Sequence, residues 1–290
     1  MIATPITAES GPAQELHAPD HHGGTDDIYS NPEAYEQFMG RWSARLAPLF
    51  VRFAGIRNGQ RVLDVGCGTG SLSRTLLAVG NAISVVGVDP AEDYAAFARQ
   101  KTPNSRAAFQ VSTAESLPFP DKSFDAAVAL LVLQEFEDPV RAVREMARTT
   151  RRGGRIAACL WDFVDGMPMT SLFWRAAETV APETVARRRA ERQPCKIGLQ
   201  ELNELWTDAG LSEVRTASLE ISQAFSSFDD YWQPFISGCT PLSLFAAAVN
   251  RETRGEVASV LRQNIPNLRP DGSFVLPARA LAVAGIADHS

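Results

Sequence analysis

Five short apolar runs, alternating with stretches of helical spacing, govern what this chain can fold into. The runs lie at residues 61–65, 84–88, 107–111, 124–131 and 155–160. The fourth, within FDAAVALLVL, is apolar almost throughout, as a strand buried on both faces must be. Such strands, alternating with helices, pair in parallel, because each crossover lays a helix on a sheet face. The chain is therefore expected to be α/β and doubly wound. Helix signals agree. Asp138-Pro139 offers an N-cap acid and then a proline whose missing N–H costs nothing. Val140, Val143, Met146 and Ala147 follow as an apolar stripe. Gly153-Gly154 breaks the chain before the fifth run.

The flanks carry other patterns. Residues 1–28 lack apolar periodicity and are read as a disordered tail, leaving 29–290 as a single domain. Tyr35, Phe38, Met39, Trp42, Leu46, Leu49 and Phe50 recur at intervals of three and four, predicting cap helices over 31–57. After Trp161 the rhythm changes. A helix is expected over 199–209 and strands near 214–221 and in the terminal run FVLPARALAVAGIA, completing the sheet. The material around 162–197 and 225–272 reads as helical lid insertions over one end of it.

The turn after the first run is VLDVGCGTGSLSR. In an open α/β sheet, ligands bind beyond the carboxyl ends of the strands, where strand order reverses. Gly66, Cys67, Gly68, Thr69 and Gly70 occupy that position, and glycine permits positive φ and close backbone approach. A dinucleotide fingerprint is GxGxxG. Here the third glycine comes one residue early, and Ser71 stands where glycine would be needed. Asp64, just behind the turn, would oppose a pyrophosphate but suits a ligand carrying an ammonium group. Asp89 ends the second strand, followed by Pro90. Two readings stand for it: an acceptor for ribose hydroxyls, or an N-cap for the next helix.

The segments VLDVGCGTG, VVGVDP, AESLPFPDKSFD and RRGGRIAACLWD, in that order, resemble class I S-adenosylmethionine-dependent methyltransferases. The branch includes quinone-biosynthesis and other small-molecule methylases. FMGRWS and FDDYWQPF are similar to a bacterial subgroup of it. The resemblance is firm over about residues 30–162 and looser beyond. It implies a Rossmann-like, mostly parallel seven-stranded sheet with the last strand antiparallel, and S-adenosyl-L-methionine as cofactor. By position it assigns Gly66, Cys67, Gly68 and Gly70 to the methionine end, Asp64 to its ammonium group, and Asp89 with Pro90 to the ribose. Relatives carry an acid after the third strand for the adenine amino group. This chain has Thr113, Ala114 and Glu115 there, and a hydroxyl is a weaker acceptor than a carboxylate. Leu133 and Gln134 fall beside the transferable methyl. Tyr35, Met39 and Arg41 are cap contacts; core packing is the other reading for the first two, and Arg41 suits the cofactor carboxylate.

Composition narrows the chemistry. All four histidines lie at the ends, at 17, 21, 22 and 289. A Ser-His-acid triad, a Cys-His pair or a His-built metal site is therefore not expected in the core. Methyl transfer from a sulfonium needs little base, because the protein mainly positions the nucleophile. Gln134 and Asp162 are the catalytic candidates, with Glu135 and Asp230 as further carboxylates. Trp161, Tyr231 and Trp232 are expected to face a small, partly apolar or aromatic substrate. A net charge of −6 gives no footprint for nucleic acid, and the arginines at 187–192 read as a solvated helix face. The cysteines at 67, 159, 195 and 239 form no CxxC pair. With no long apolar run and no secretory signal, the expected location is cytoplasmic, away from membranes. Oligomeric state is not encoded in any of these features. Two alternatives remain at this point: a nicotinamide-dependent oxidoreductase of related topology, and a non-catalytic S-adenosylmethionine-binding partner protein.

Overall fold

The computed structural model describes residues 31–191, 197–236 and 241–288. The expected tail at 1–28, all four histidines, and the cysteines at 195 and 239 lie outside the described residues. Seven strands form one sheet: β1 Arg61–Val65, β2 Ser84–Asp89, β3 Ala107–Val111, β4 Phe124–Leu130, β5 Thr150–Trp161, β6 Leu211–Phe225 and β7 Phe274–Ala287. Their order is β3-β2-β1-β4-β5-β7-β6. The pairs from β3 through to β5 are parallel, and β7 runs antiparallel to both β5 and β6. The chain steps outward from β1 to β3 and then returns to lay β4 against the other edge of β1. That reversal opens a crevice at the carboxyl ends of β1 and β4.

Both sheet faces are covered, as the apolar runs required. Successive side chains of a strand point to opposite faces. Val62, Val85, Ala126, Val128, Ala157 and Cys159 belong to one core. It also takes in Trp42, Leu46 and Phe50 from α2 (Arg41–Ala54) and Leu72 and Leu76 from α3 (Ser71–Leu77). α2 follows a four-residue α1 (Pro32–Tyr35) and a π-helical turn at Glu36–Gly40, and ends where Gly55 turns left-handed at φ +70°. Beyond the glycine turn, α4 (Glu92–Lys101) lies against β3. Leu63, Val65, Ala127, Ala129, Ile156 and Ala158 face a second core. It is closed by Val143 and Met146 of α5 (Pro139–Thr149). α5 starts as the sequence indicated: the Asp138 carboxylate accepts from Arg141 N at 2.9 Å. Gly153 and Gly154 do not precede β5. The strand begins at Thr150, its register against β4 shifts near Phe124, and Gly153 takes φ +74° inside it.

The insertions are helical. After β5 come α6 (Pro168–Val180) and α7 (Pro182–Glu191), and α8 (Leu199–Asp208) leads into β6. Between β6 and β7 lie α9 (Phe228–Ile236), α10 (Pro241–Ala248) and α11 (Arg251–Gln263). Both insertions leave the sheet at the end that carries the glycine turn. No helix of the described residues is long and apolar enough to cross a membrane. Trp42 ties cap to sheet and lid. It is fully buried, with its ring centroid 6.3 Å from Trp161 and 6.0 Å from Phe225. Trp42→Ala should cost about 3–5 kcal/mol of unfolding free energy, read as a lower midpoint in chemical denaturation.

Candidate functional site

The glycine turn leaves β1 in a conformation that side chains resist. Gly66, Gly68 and Gly70 take φ +66°, +52° and +83°. Two are also hemmed in. A Cβ on Gly66 would lie 2.6 Å from the Val132 side chain, and one on Gly70 would lie 3.2 Å from Ala98. At Gly68 the nearest atom would be Tyr94 Cδ1 at 4.0 Å, so space is open above the centre of the turn. Cys67 N donates to Val88 O at 2.9 Å and Gly70 N to Cys67 O at 2.8 Å, pinning the turn to β2 and to itself.

Two carboxylates flank it. Asp64 is fully buried; Ser73 Oγ donates to its Oδ2 at 2.6 Å. Its Oδ1 has no hydrogen-bond partner among the described residues. Burial pushes the Asp64 carboxyl up to about 7; the Ser73 bond opposes this, and the negative charge of Asp89 adds to it. Asp89 accepts from Gly68 N at 2.9 Å and from Ala91 N at 3.0 Å. It is therefore not the N-cap of α4, a position held by Ala91. Burial raises its carboxyl, and the two backbone donors partly offset this. A carboxylate has about four lone-pair sites, so Asp89 keeps acceptor capacity beyond its two backbone bonds. Pro90 is exposed at the strand end. The Cys67 thiol is buried and raised well above its ordinary value, chiefly by that burial.

The cap reaches the turn through residues not singled out in the sequence. Glu36, in the π-helical turn, accepts from Arg74 Nη2 at 2.8 Å and from the Thr69 hydroxyl. Arg74 Nη1 donates to Thr69 O at 2.7 Å. A π-helical turn often marks a functional position, but Glu36 read alone looks like one more solvated acid on a helix. Tyr35 packs edge-on against Tyr94, with centroids 5.7 Å apart, and Met39 is partly buried against the core. Arg41 pairs with Asp230 at 2.8 Å and lies over the Phe225 ring. Within the protein its charge is met by Asp230 of α9.

On the adenine side, Thr113 is exposed, Ala114 buried and Glu115 half-buried. Glu115 Oε1 accepts from Glu137 N at 3.0 Å, which joins this loop to the segment before α5. Past β4, Leu131 takes φ +62°, unusual for a bulky residue. Its N–H donates to Cys159 O at 2.8 Å, and its carbonyl accepts from Gln134 Nε2 at 3.0 Å. Leu133 is fully buried. Asp162 is ion-paired with Arg279 at 2.6 Å and accepts from Val164 N and Asp165 N. Burial raises its carboxyl, but Arg279 and the backbone donors outweigh this and hold it below its ordinary value. Asp230, balanced in the same way by Arg41 and Ser226, is also lowered.

The aromatic residues of the lid pack on one another. Tyr231 is 1% exposed, donates its hydroxyl to Met169 O at 2.6 Å, and packs on Phe225, Phe235 and Phe274. Trp232 stacks with Phe228 and Phe173. With Ile236, Arg251, Arg254, Gly255 and Ala258 it lines an open groove of about 370 Å³ between α9 and α11. The expected substrate-facing role of Tyr231 thus meets a side chain already enclosed by protein. Trp161 closes β5 and is also buried.

Comparison with known proteins matches this arrangement to a family. A profile described as a methyltransferase domain matches residues 63–158. The chain is 34% identical over 148 residues to the 27-O-demethylrifamycin SV methyltransferase of Amycolatopsis mediterranei, covering 50% of this chain and 51% of that one. It is 30% identical over 204 residues to the demethylmenaquinone methyltransferase of Staphylococcus aureus, covering 66% of this chain and 82% of that one. It spans about half the length, or less, of the first of the curated relatives it matches. Among solved structures, the YcgJ protein of Bacillus subtilis aligns with TM-score 0.54 at 21% identity, over 86% of this chain and 100% of that one. Phosphoethanolamine N-methyltransferase 2 of Haemonchus contortus, in complex with S-adenosyl-L-methionine, aligns with TM-score 0.57 at 18% identity, over 91% and 58%. The chain belongs to the S-adenosylmethionine-dependent methyltransferases.

Asp64 makes a stability prediction. Its folded-state pKa is raised, so between the ordinary carboxylate range and about pH 7 the unfolded state releases a proton that the folded state keeps. Its contribution is therefore greatest at acid pH, falls as pH rises towards about 7, and is flat above. The wild type should lose stability relative to Asp64→Asn across that window, as measured by denaturation at pH 4.5, 6 and 8 without ligand.

Proposed function

We propose that this protein transfers a methyl group from S-adenosyl-L-methionine to a small, partly apolar or aromatic metabolite, in line, without a histidine base. The observation that carries this is the glycine turn: three left-handed glycines, open above Gly68, between the buried Asp64 with one oxygen unpaired and Asp89 with acceptor capacity left. The cofactor fits that donor set. Its amino-acid end carries an ammonium that Asp64 would draw, and its ribose hydroxyls would donate to Asp89. Gly66, Cys67, Gly68 and Gly70 would wrap the methionine part, with Pro90 at the ribose and Thr113, Ala114 and Glu115 along the adenine. A pyrophosphate would have to lie beside both Asp64 and Asp89, and the family match favours the methyl donor over the nicotinamide reading.

When bound, the cofactor would supply an electrophilic methyl carbon and a neutral sulfide leaving group, and a proton displaced from the acceptor would pass to water. The chain's own residues orient and enclose. Val132 packs on Gly66 and fixes the turn against the end of β4. Glu36, Arg74 and Thr69 hold the cap over the turn. Leu133 and Gln134 stand on the acceptor side, past β4. Asp162 and Asp230 each neutralise an arginine, and their lowered pKa values make both weak bases. Rate would come from positioning rather than from proton abstraction. The names of two relatives, methyltransferases of a demethylrifamycin and of demethylmenaquinone, support a small-molecule acceptor.

The test is calorimetric titration with S-adenosylmethionine, followed by methyl transfer to a panel of ring metabolites detected by mass spectrometry. Binding of the cofactor without any methylated product would favour a non-catalytic partner protein instead. Asp89→Ala should cost about 1.5–3 kcal/mol of cofactor binding, the loss of an ionised acceptor. Unchanged affinity in a folded variant would remove the ribose assignment.

A further inference from the structure

Most buried side-chain polar atoms in proteins have a partner. Two that do not lie at the carboxyl ends of neighbouring strands. Trp161, the last residue of β5, is 3% exposed, and its Nε1–H has no hydrogen-bond partner among the described residues. Trp206, equally deep, shows the ordinary arrangement: its Nε1–H donates to Ile156 O at 3.3 Å. Gln134 sits in the turn after β4. Its Nε2 donates to Leu131 O at 3.0 Å, which sets the orientation of the amide, and its buried Oε1 is left unpaired. β4 and β5 pair in parallel with Leu130 opposite Cys159. Both side chains therefore emerge at the same end of the sheet, beside the crevice that holds the glycine turn. Leu131, at φ +62° and bonded both to Cys159 and to Gln134, ties the two strand ends together.

One atom is a donor and the other an acceptor. A carboxylate only accepts and an ammonium only donates, so neither satisfies both; a hydroxyl does. The surroundings of Trp161 are apolar, with Trp42 edge-on at 6.3 Å. A lone donor and a lone acceptor at neighbouring strand ends, with apolar rings around the donor, suit a molecule that is itself apolar except at one edge.

We propose that Trp161 Nε1–H and Gln134 Oε1 are the polar contacts for the methyl acceptor, and that the acceptor is a hydroxylated, otherwise apolar ring compound of the phenol type. The inference rests on the methyl-transfer reading above and names the substrate class of that same site. Substrate oxygen accepts from the indole, and a substrate O–H donates to the Gln134 amide oxygen. A site of this kind discriminates against the analogue lacking the hydroxyl, because its own buried groups are then left unpaired.

The test uses full-length protein labelled with ¹⁵N at its five tryptophan indoles and saturated with S-adenosylhomocysteine. It is titrated with phenols, catechols and hydroxynaphthoquinones, each beside its deoxy analogue. Trp161→Phe assigns the Trp161 cross-peak by its loss. The expected result is that a hydroxylated member moves that peak downfield and binds at least about tenfold more tightly than its deoxy analogue. Trp161→Phe should bind S-adenosylhomocysteine as the wild type does and lose most of that preference. If Trp161→Phe fails to fold, Gln134→Met carries the same comparison. A preference that survives either substitution, or a panel that leaves the Trp161 peak unmoved while S-adenosylhomocysteine binds, would overturn this inference alone. Failure of S-adenosylhomocysteine to bind would overturn it together with the methyl-transfer reading.

Discussion

The site depends on a turn that the sheet forces into a space too tight for side chains. β1 ends over a buried carboxylate, and the next five residues must clear Val132 on one side and Ala98 on the other. Only glycine at 66 and 70 meets both the positive φ and the contacts, so the turn is set by backbone sterics before any ligand arrives. Its hydrogen bonds to Val88 and Asp89 lock it to β2. The turn, the two carboxylates and the reversal of strand order therefore form one unit. The cap and the lid are built around it.

Much of this was legible in the sequence because it rests on local rules. The runs at 61–65 and 107–111 became β1 and β3 residue for residue, since a short apolar run bounded by turn residues has few other uses in an α/β chain. Asp138-Pro139 starts α5 because cap chemistry is local. β7 is antiparallel, as the family resemblance implied, and helices fill the connections on either side of β6. The long-range pairings were not legible. Arg41 and Asp230 are 189 residues apart, and Asp162 and Arg279 are 117 apart, so no spacing announces either pair. The same holds for Glu36 with Arg74. The left-handed Leu131 goes against the preference of its residue type and could not be read from it. The lid aromatics were legible as a group but not as packing, because a buried ring and a pocket wall carry the same residue code.

The side chains available to the site for acid–base chemistry are few among the described residues. No histidine occurs between Gly23 and Asp288, and the carboxylates of Asp230 and Asp162 are tied to arginines. Those ion pairs connect cap to lid and β7 to the end of β5. They are partly exposed, and pairs of that kind contribute at most about 1 kcal/mol each. Their role is geometric, since they hold the segments over the sheet end in one arrangement. On the proposed function, the cofactor would bring its own leaving group and the site would contribute position and enclosure.

Hydrogen exchange with and without S-adenosylhomocysteine, resolved by mass spectrometry to short peptides, distinguishes a cofactor seated on the glycine turn from one bound elsewhere. The expected result is new protection concentrated in the peptides that carry residues 64–70, 89–91 and 113–115, with exchange at residues 36–40 slowed as well. Protection confined to the groove between α9 and α11, with exchange at the glycine turn unchanged, would contradict it.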